Sequence, residues 1–276
     1  MKSNSEKIVI KPTSRFFSLS VKELCEYKDL LYFLVWRDIK VRYKQTVLGI
    51  AWVILQPLIF MTIFTLIFGK LARLPSEGIP YPVFIYTALL PWQLFAYALS
   101  QSAESLVANE KLITKIYFPR ILIPMAPIFS GLFDFLLSFV VLIFLMLLHD
   151  ITPGLNLLFL PVFLLFAVFT SLGAGLWFTA LNVRFRDVRY TIPFLTQIWF
   201  YATPVAYSST LVPESLHWLY RLNPMVGVVE GFRWILLNAK VPSSAELTIS
   251  LAVSVMFLAS GLLYFQKVEG DFADII

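Results

Sequence analysis

Long apolar runs constrain this chain more than any other feature of its sequence. Six runs stand out, at 47 to 68, 83 to 101, 121 to 148, 155 to 182, 191 to 207 and 246 to 265. A helix needs about 20 apolar residues to cross a hydrocarbon core about 30 Å thick. Hydrophobic residues make up 59% of the chain and charged residues only 14%, which is more apolar surface than a globular core buries. The sequence predicts an all-α integral membrane protein with six transmembrane helices.

The distribution of basic residues predicts the orientation of these helices. With the amino terminus in the cytoplasm, 17 of the 22 Lys and Arg residues lie on the cytoplasmic side. The positive-inside rule favours this arrangement, whereas the reverse would carry the block from Arg37 to Lys44 across the membrane. We therefore expect a multi-pass membrane protein with both termini cytoplasmic. The same rule explains the net charge of +5, so we expect no nucleic-acid partner.

Two segments are too charged or too interrupted to span a membrane. Segment 20 to 45 mixes an apolar stretch with flanking charges, which predicts an amphipathic interfacial helix. Segment 208 to 245 is apolar but broken by polar residues, which predicts short re-entrant helices before the last span. We expect a cytoplasmic amino-terminal segment, 1–46, one membrane domain, 47–265, and a short cytoplasmic tail, 266–276. The amino-terminal segment lacks the features of a cleaved signal peptide, so we expect it to be retained.

Motifs for chemistry are absent from the sequence. There is no phosphate-binding G-x-x-x-x-G-K-[ST] loop and no H-E-x-x-H metal motif, and Cys25 is the only cysteine. We assign no catalytic residue, no metal site and no cofactor to this chain. Asp134 is the one charged residue clearly inside a span, where an unpaired charge is costly. We expect it to pair with a hydroxyl or an arginine; the alternative is a contact that shifts during transport.

Four motifs, in order along the topology, carry a resemblance to a known family. They are Trp36-Arg37-Asp38-Ile39-Lys40 with the residues up to Trp52, Asn109-Glu110-Lys111 up to Arg120, Arg184-Phe185-Arg186-Asp187-Val188, and Asn223-Pro224 followed by Glu230-Gly231-Phe232-Arg233. Together they resemble the permease subunits of type-2 ABC exporters, in the group that exports lipid-linked polysaccharides such as O antigen. The resemblance implies a homodimer in the lipid of the cell inner membrane, with two separate subunits that bind ATP and Mg. It also implies a polyprenyl-pyrophosphate-linked polysaccharide as cargo.

The resemblance implies that a short cytoplasmic helix contacts the ATP-binding subunit. The predicted coupling residues are Asn109, Glu110, Leu112, Ile113, Lys115 and Ile116. Asn109 is expected to cap this helix and Pro119 to end it. The alternative is an ordinary cytoplasmic turn.

Aromatic and amide side chains at helical spacing predict a path for a sugar polymer. Ring faces stack on the apolar faces of sugars, and amides bond to hydroxyls. Spans one and five each carry such a stripe, and the predicted path residues are Trp52, Gln56, Phe60, Phe194, Gln197 and Tyr201. Gln45 and Gly49 extend the first stripe, and Tyr190 extends the second. The alternative is that these rings face lipid.

Two charged groups complete the predicted sites. Lys40, Arg42 and Lys44 are expected to receive the lipid pyrophosphate at the cytoplasmic entrance, or else to act only as membrane anchors. The second group, expected to close the outer exit or to form a static salt bridge, is Arg221, Glu230 and Arg233.

Rival functions remain open at the level of sequence. The same architecture suits an exporter of teichoic acid, a lipid or a drug. A channel or ion-coupled carrier that works without ATP is less favoured, because such carriers usually hold more charge within their spans.

Overall fold

The computed structural model of the protein describes residues 21–44, 49–270 and 272. The predicted interfacial segment is therefore described only from residue 21, and Gln45 of the first stripe lies outside the described residues. The helices are, in chain order, α1 (Val21–Glu26), α2 (Lys28–Lys44), α3 (Ile50–Phe64), α4 (Tyr81–Ala108), α5 (Glu110–Lys115), α6 (Leu122–Leu148), α7 (Leu160–Arg184), α8 (Val188–Ala202), α9 (His217–Arg221), α10 (Pro224–Leu237) and α11 (Ser244–Glu269). A π-helical turn, Thr65–Leu71, continues α3, and a 3-10 turn, Leu155–Phe159, precedes α7.

Five helical stretches in this described part are long and apolar enough to cross a membrane. They are Ile50–Leu71, Tyr81–Ala108, Leu122–Leu148, Leu155–Arg184 and Ser244–Glu269. Each overlaps one of the runs predicted from the sequence. The prediction of an all-α membrane protein is confirmed.

The fifth predicted span, 191 to 207, is shorter than expected. Helix α8 has 15 residues and ends at Ala202, which gives a length of roughly 22 Å at about 1.5 Å per residue. Thr203 is extended, with φ −106° and ψ 141°, because Pro204 follows it and disfavours helical geometry at the preceding residue. The described residues therefore contain five helical stretches of spanning length and one shorter helix, α8, where the sequence predicts a sixth span.

Helix α4 forms the centre of the bundle. It contacts α3, α6, α7, α8 and α10, and 78% of the residues in its apolar stretch are buried. By contrast, only 6% are buried in the stretch Ile50–Leu71. Polar side chains inside the bundle bond across helices: Ser102 Oγ donates to the carbonyl of Pro124, and Asn182 Nδ2 donates to that of Ala103.

Helices α7 and α11 approach closely at two glycines. A Cβ on Gly173 would lie 2.6 Å from the backbone nitrogen of Leu258, and one on Gly261 would lie 2.5 Å from the Gly173 carbonyl oxygen. Small residues allow such backbone contact between helices in membranes. The glycine pair therefore fixes α11 against the core.

The segment from 208 to 245 forms short helices, as its interrupted pattern predicts. Helix α10 has 14 residues, starts with Pro224, and is capped by Asn223, whose Oδ1 accepts from the backbone N–H of Met225. It ends at Leu237, and the next residue, Asn238, adopts the left-handed conformation with φ +52°. Most of α10 is buried against α4, α7 and α11.

Candidate functional site

A cavity of about 660 Å³ lies between α2, α3, α4, α6 and α8. Five of the six predicted path residues line it, namely Trp52, Gln56, Phe60, Gln197 and Tyr201. Phe194 does not line it; 64% of this side chain is exposed on the outside of α8. The structure thus brings together residues of α3 and α8 that are about 140 positions apart in sequence.

The walls of the cavity combine aromatic rings with neutral polar groups. Phe200 packs between α3 and α4, with its ring centroid 5.7 Å from that of Phe64 and 5.5 Å from that of Trp92. The amides are those of Gln56, Gln93 and Gln197, and the hydroxyls include those of Ser138 and Thr196. Such a surface can stack on apolar faces and bond to hydroxyls without strong charge. The sequence stripes did not identify Gln93 and Trp92, which lie on α4, or Phe200, which precedes Tyr201 on α8.

An ion pair lies on the cavity wall. Arg42 Nη1 donates to Asp134 Oδ2 and the Tyr43 hydroxyl donates to Asp134 Oδ1, so Asp134 has both partners expected from the sequence. The Arg42 guanidinium also lies 4.0 Å above the centroid of the Tyr97 ring. Burial and the neighbouring Asp134 carboxylate raise the pKa of Tyr43, so its phenol stays protonated and remains a donor.

The predicted entrance residues do not lie together. Arg42 is turned into the cavity, whereas Lys40 lies 4.9 Å from the ring of Trp36, and Lys44 is exposed. Residues four apart share one face of a helix, so Lys40 and Lys44 are neighbours and Arg42 is on another face. Sequence proximity grouped three cations that the helix separates.

The predicted coupling helix exists but differs in its ends. Helix α5 spans Glu110–Lys115, and the Asn109 side chain does not cap it, contrary to expectation. Instead Asn109 Nδ2 donates to the Ser105 carbonyl, and its Oδ1 accepts from Arg37 Nη1 at 2.7 Å. The amide is thus used to join α2 to the end of α4. A polar side chain between two helices can bond to several neighbours. The sequence did not predict that Asn109 would bond to Arg37.

Pro119 does not end α5 either. The helix ends at Lys115, and Ile116 is extended with φ −132° and ψ 135°. The chain leaves the helix early because Phe118 is buried in the same apolar cluster as Ile113. Extended backbone between them allows both side chains to reach that cluster.

Exposure separates the predicted coupling residues into two groups. Ile113 is buried and Leu112 is half-buried against the cluster, which also contains Leu34, Leu106, Phe118, Leu122 and Phe265. Ile116 is 58% exposed and Tyr117 is 83% exposed. Glu110 and Lys115 are exposed beside them. The apolar surface available to a partner is therefore Ile116 with Tyr117, and sequence reasoning missed Tyr117.

The predicted outer-gate residues form two separate ion pairs. The Arg233 side chain is fully buried; its Nη1 lies 3.2 Å from Glu230 Oε1, and its Nη2 donates to the Val205 carbonyl at 3.0 Å. The guanidinium lies 3.6 Å from the ring centroid of Phe84 on α4. Arg221 lies elsewhere, 3.7 Å from Glu246 of α11.

The buried arginine holds the backbone that follows α8. Arg233 Nη1 also donates to the Tyr207 carbonyl at 3.3 Å, and the Tyr81 hydroxyl donates to the Ala206 carbonyl. Side chains from α4 and α10 therefore satisfy three successive carbonyl positions of an irregular segment, as a low-dielectric environment requires.

Comparisons with known proteins agree with this architecture. Residues 29–237 match the model of the family described as ABC-2 type transporter. The O-antigen export system permease protein RfbA of Myxococcus xanthus is 32% identical over 93% of this chain and 98% of its own length. RfbA of Klebsiella pneumoniae is 31% identical over 90% of this chain and 95% of its own. The polysialic acid transport protein KpsM of Escherichia coli is 26% identical over 84% of this chain and 91% of its own. The chain is a multi-pass membrane protein that belongs to the ABC-2 type transporter family.

Proposed function

We propose that this chain is the membrane subunit of an ATP-driven exporter of lipid-linked polysaccharide, of the O-antigen type. The observation that carries the proposal is the cavity between α3, α4, α6 and α8, whose rings and amides suit a sugar polymer. The family membership supports it, and so do the names of relatives that match along nearly their whole length, which describe them as O-antigen export permeases.

The energy source in this proposal is a separate subunit that binds ATP and Mg. The sequence contains no phosphate-binding loop, and transporters of this kind need one. The exposed pair Ile116 and Tyr117, flanked by Glu110 and Lys115, supplies an apolar anchor with a charged rim. Two ATP-binding subunits would each engage one copy of α5.

Movement at α5 would reach the cavity through rigid elements. Ile113 fixes α5 in the apolar cluster, and Asn109 joins it directly to α4. Arg37 links Asn109 to α2, which also carries Arg42 on the cavity wall. A displacement of α5 by nucleotide binding would therefore shift α2 and α4 relative to α3.

A homodimer completes the proposed transporter. The apolar stretch Ile50–Leu71 is largely unburied, and rings of α3 and α8 are exposed beside the cavity. A second copy placed against this face would enclose the cavity as a path between subunits. In this arrangement both termini, α2 and α5 are cytoplasmic, the chain lies in the inner membrane, and α9 and α10 lie at the outer face.

Co-expression with the ATP-binding subunit encoded beside its gene tests the proposal. We expect a tag on this chain to purify a stable complex with vanadate-sensitive ATPase activity. Ile116→Glu should weaken that complex and abolish export, because a charge replaces an exposed apolar anchor. The matched control is Val241→Glu, at an exposed β-branched apolar residue of a different loop, because Val241 is 60% exposed and Ile116 is 58% exposed. A complex and export rate unaffected by Ile116→Glu would contradict the assignment of this surface.

A further inference from the structure

The ion pair Arg42–Asp134 differs from the buried pair Arg233–Glu230 by its access to the cavity. Its side chains are 26% and 22% exposed, whereas those of Arg233 and Glu230 are 0% and 12% exposed. Among the described residues that line the cavity, Arg42 and Asp134 are the ones that carry a formal charge. An anionic group that enters the cavity thus meets the Arg42 guanidinium beside the Asp134 carboxylate.

The surroundings hold Arg42 in place independently of Asp134. The Tyr97 ring lies beneath the guanidinium, and its own hydroxyl lies 3.3 Å from Ser130 Oγ of α6. Gly131 makes room for this ring, since a Cβ there would lie 2.9 Å from Tyr97 Cδ1. Arg42 is therefore packed against the Tyr97 ring of α4, and residues of α6 hold that ring in place.

Asp134 also has support that does not depend on Arg42. The Tyr43 hydroxyl donates to its second oxygen, so the carboxylate keeps a hydrogen bond when its cation turns to another anion. The planar guanidinium fits carboxylate and phosphate oxygens alike. Both members of the pair can thus change partner without leaving a buried group wholly unsatisfied.

We propose that the Asp134 carboxylate occupies the position on Arg42 that an oxyanion of the cargo takes during transport. The cargo oxyanion and Asp134 then compete for Arg42. The proposal rests on the proposed export function and names the ligand class of the cavity. The oxyanion is either a pyrophosphate on the lipid carrier or a carboxylate on an acidic sugar. Competition with Asp134 lowers the affinity of Arg42 for the cargo anion, so the anion can leave again. A transport path requires such weak binding.

Binding of farnesyl pyrophosphate to the purified full chain tests the competition. Asp134→Asn keeps the shape and still accepts from Tyr43, so we expect it to tighten binding about tenfold, equivalent to about 1.4 kcal/mol. Arg42→Gln should abolish binding in both backgrounds. Glu246→Gln is the matched control, because Glu246 also faces an arginine, Arg221, but does not line the cavity, and it should change nothing. Unchanged or weaker binding by Asp134→Asn would overturn the proposal.

Further ligands and a second variant complete the test. An oligomer of glucuronic acid replaces farnesyl pyrophosphate to separate a sugar carboxylate from a lipid pyrophosphate, and the anion that gains affinity is the source. Farnesol and a neutral oligosaccharide should show no gain. If Asp134→Asn does not fold, Tyr43→Phe removes the hydrogen bond that the released carboxylate keeps, so Asp134 competes more strongly for Arg42 and we expect about threefold weaker binding. Unaltered affinity of that variant would also contradict the proposal. Since neither ATP nor export enters the assay, a failure here is distinct from a failure of the proposed function.

Discussion

Helix α4 and helix α3 are both apolar spans, yet they occupy opposite environments. Most of α4 is buried, while almost none of Ile50–Leu71 is, although α4 is the least apolar of the five spanning stretches. In a membrane chain the most apolar surface faces lipid, and the centre can hold hydroxyls and buried hydrogen bonds. Between these two helices the more apolar one is the more exposed, which is the reverse of the rule for soluble proteins.

This difference in burial indicates different roles for the α4 region and the α3 face. The α4 region, with α7, α10 and α11, is a packed scaffold that contains the buried Arg233 and the Gly173–Gly261 contact. The α3 face, with α8, is open and lines the cavity. Substitutions in the scaffold should lower stability, and substitutions on the open face should lower transport alone.

Removal of the buried cation should have the largest effect on stability. Arg233→Met leaves the Glu230 carboxylate buried without its cation, and breaking such a pair costs about 3–5 kcal/mol. Thermal unfolding in detergent should show a large loss of stability or no folded protein. Arg221→Gln is the control, because its pair with Glu246 is one-third exposed and is worth about 1 kcal/mol or less. Equal losses for the two variants would remove the distinction between scaffold and periphery.

The glycine contact between α7 and α11 should give an intermediate effect. Gly173→Ala places a Cβ 2.6 Å from the backbone of Leu258, and overpacking of this kind costs about 1–3 kcal/mol. Gly270→Ala meets open space and serves as the control. The same unfolding assay measures the stability of both variants. If Gly173→Ala leaves the stability unchanged, α7 and α11 do not need this close approach.

Loss of three rings from the open face should have the smallest effect on stability. Trp52→Ala, Phe60→Ala and Tyr201→Ala together remove side chains that are 51%, 42% and 58% exposed. We expect a change below about 1 kcal/mol in unfolding, as for surface positions, but a marked fall in polysaccharide export in cells. A triple variant that unfolds early would place α3 in the scaffold, and one with normal export would remove these rings from the path.

Much of the fold follows from hydropathy because lipid imposes a length on each span. The predicted run 121 to 148 differs from α6, Leu122–Leu148, by one residue. The error in the fifth span has a visible cause, since Thr203 precedes Pro204 and the apolar run continues past the helix end. Pro204 indicated an earlier helix end, but the prediction of the span relied on the length and hydropathy of the run.

The candidate site was predictable only where one helix carries the pattern. Trp52, Gln56 and Phe60 share a face of α3, and they do line the cavity. Partners from distant helices were not predictable, as the pair Arg37–Asn109 and the contact of Arg233 with Phe84 show. Periodicity gives the face of a helix but not the neighbour that this face meets.

ATP-driven transport by the reconstituted complex tests the central claim most directly. The chain and its ATP-binding partner would be placed in vesicles with a labelled lipid-linked polysaccharide on the nucleotide side, and glycan reaching the lumen would be measured. We predict accumulation that requires ATP hydrolysis, stops with vanadate and is lost in the triple-ring variant of α3 and α8. Accumulation at the same rate without ATP, or by the chain alone, would contradict the account and indicate a channel.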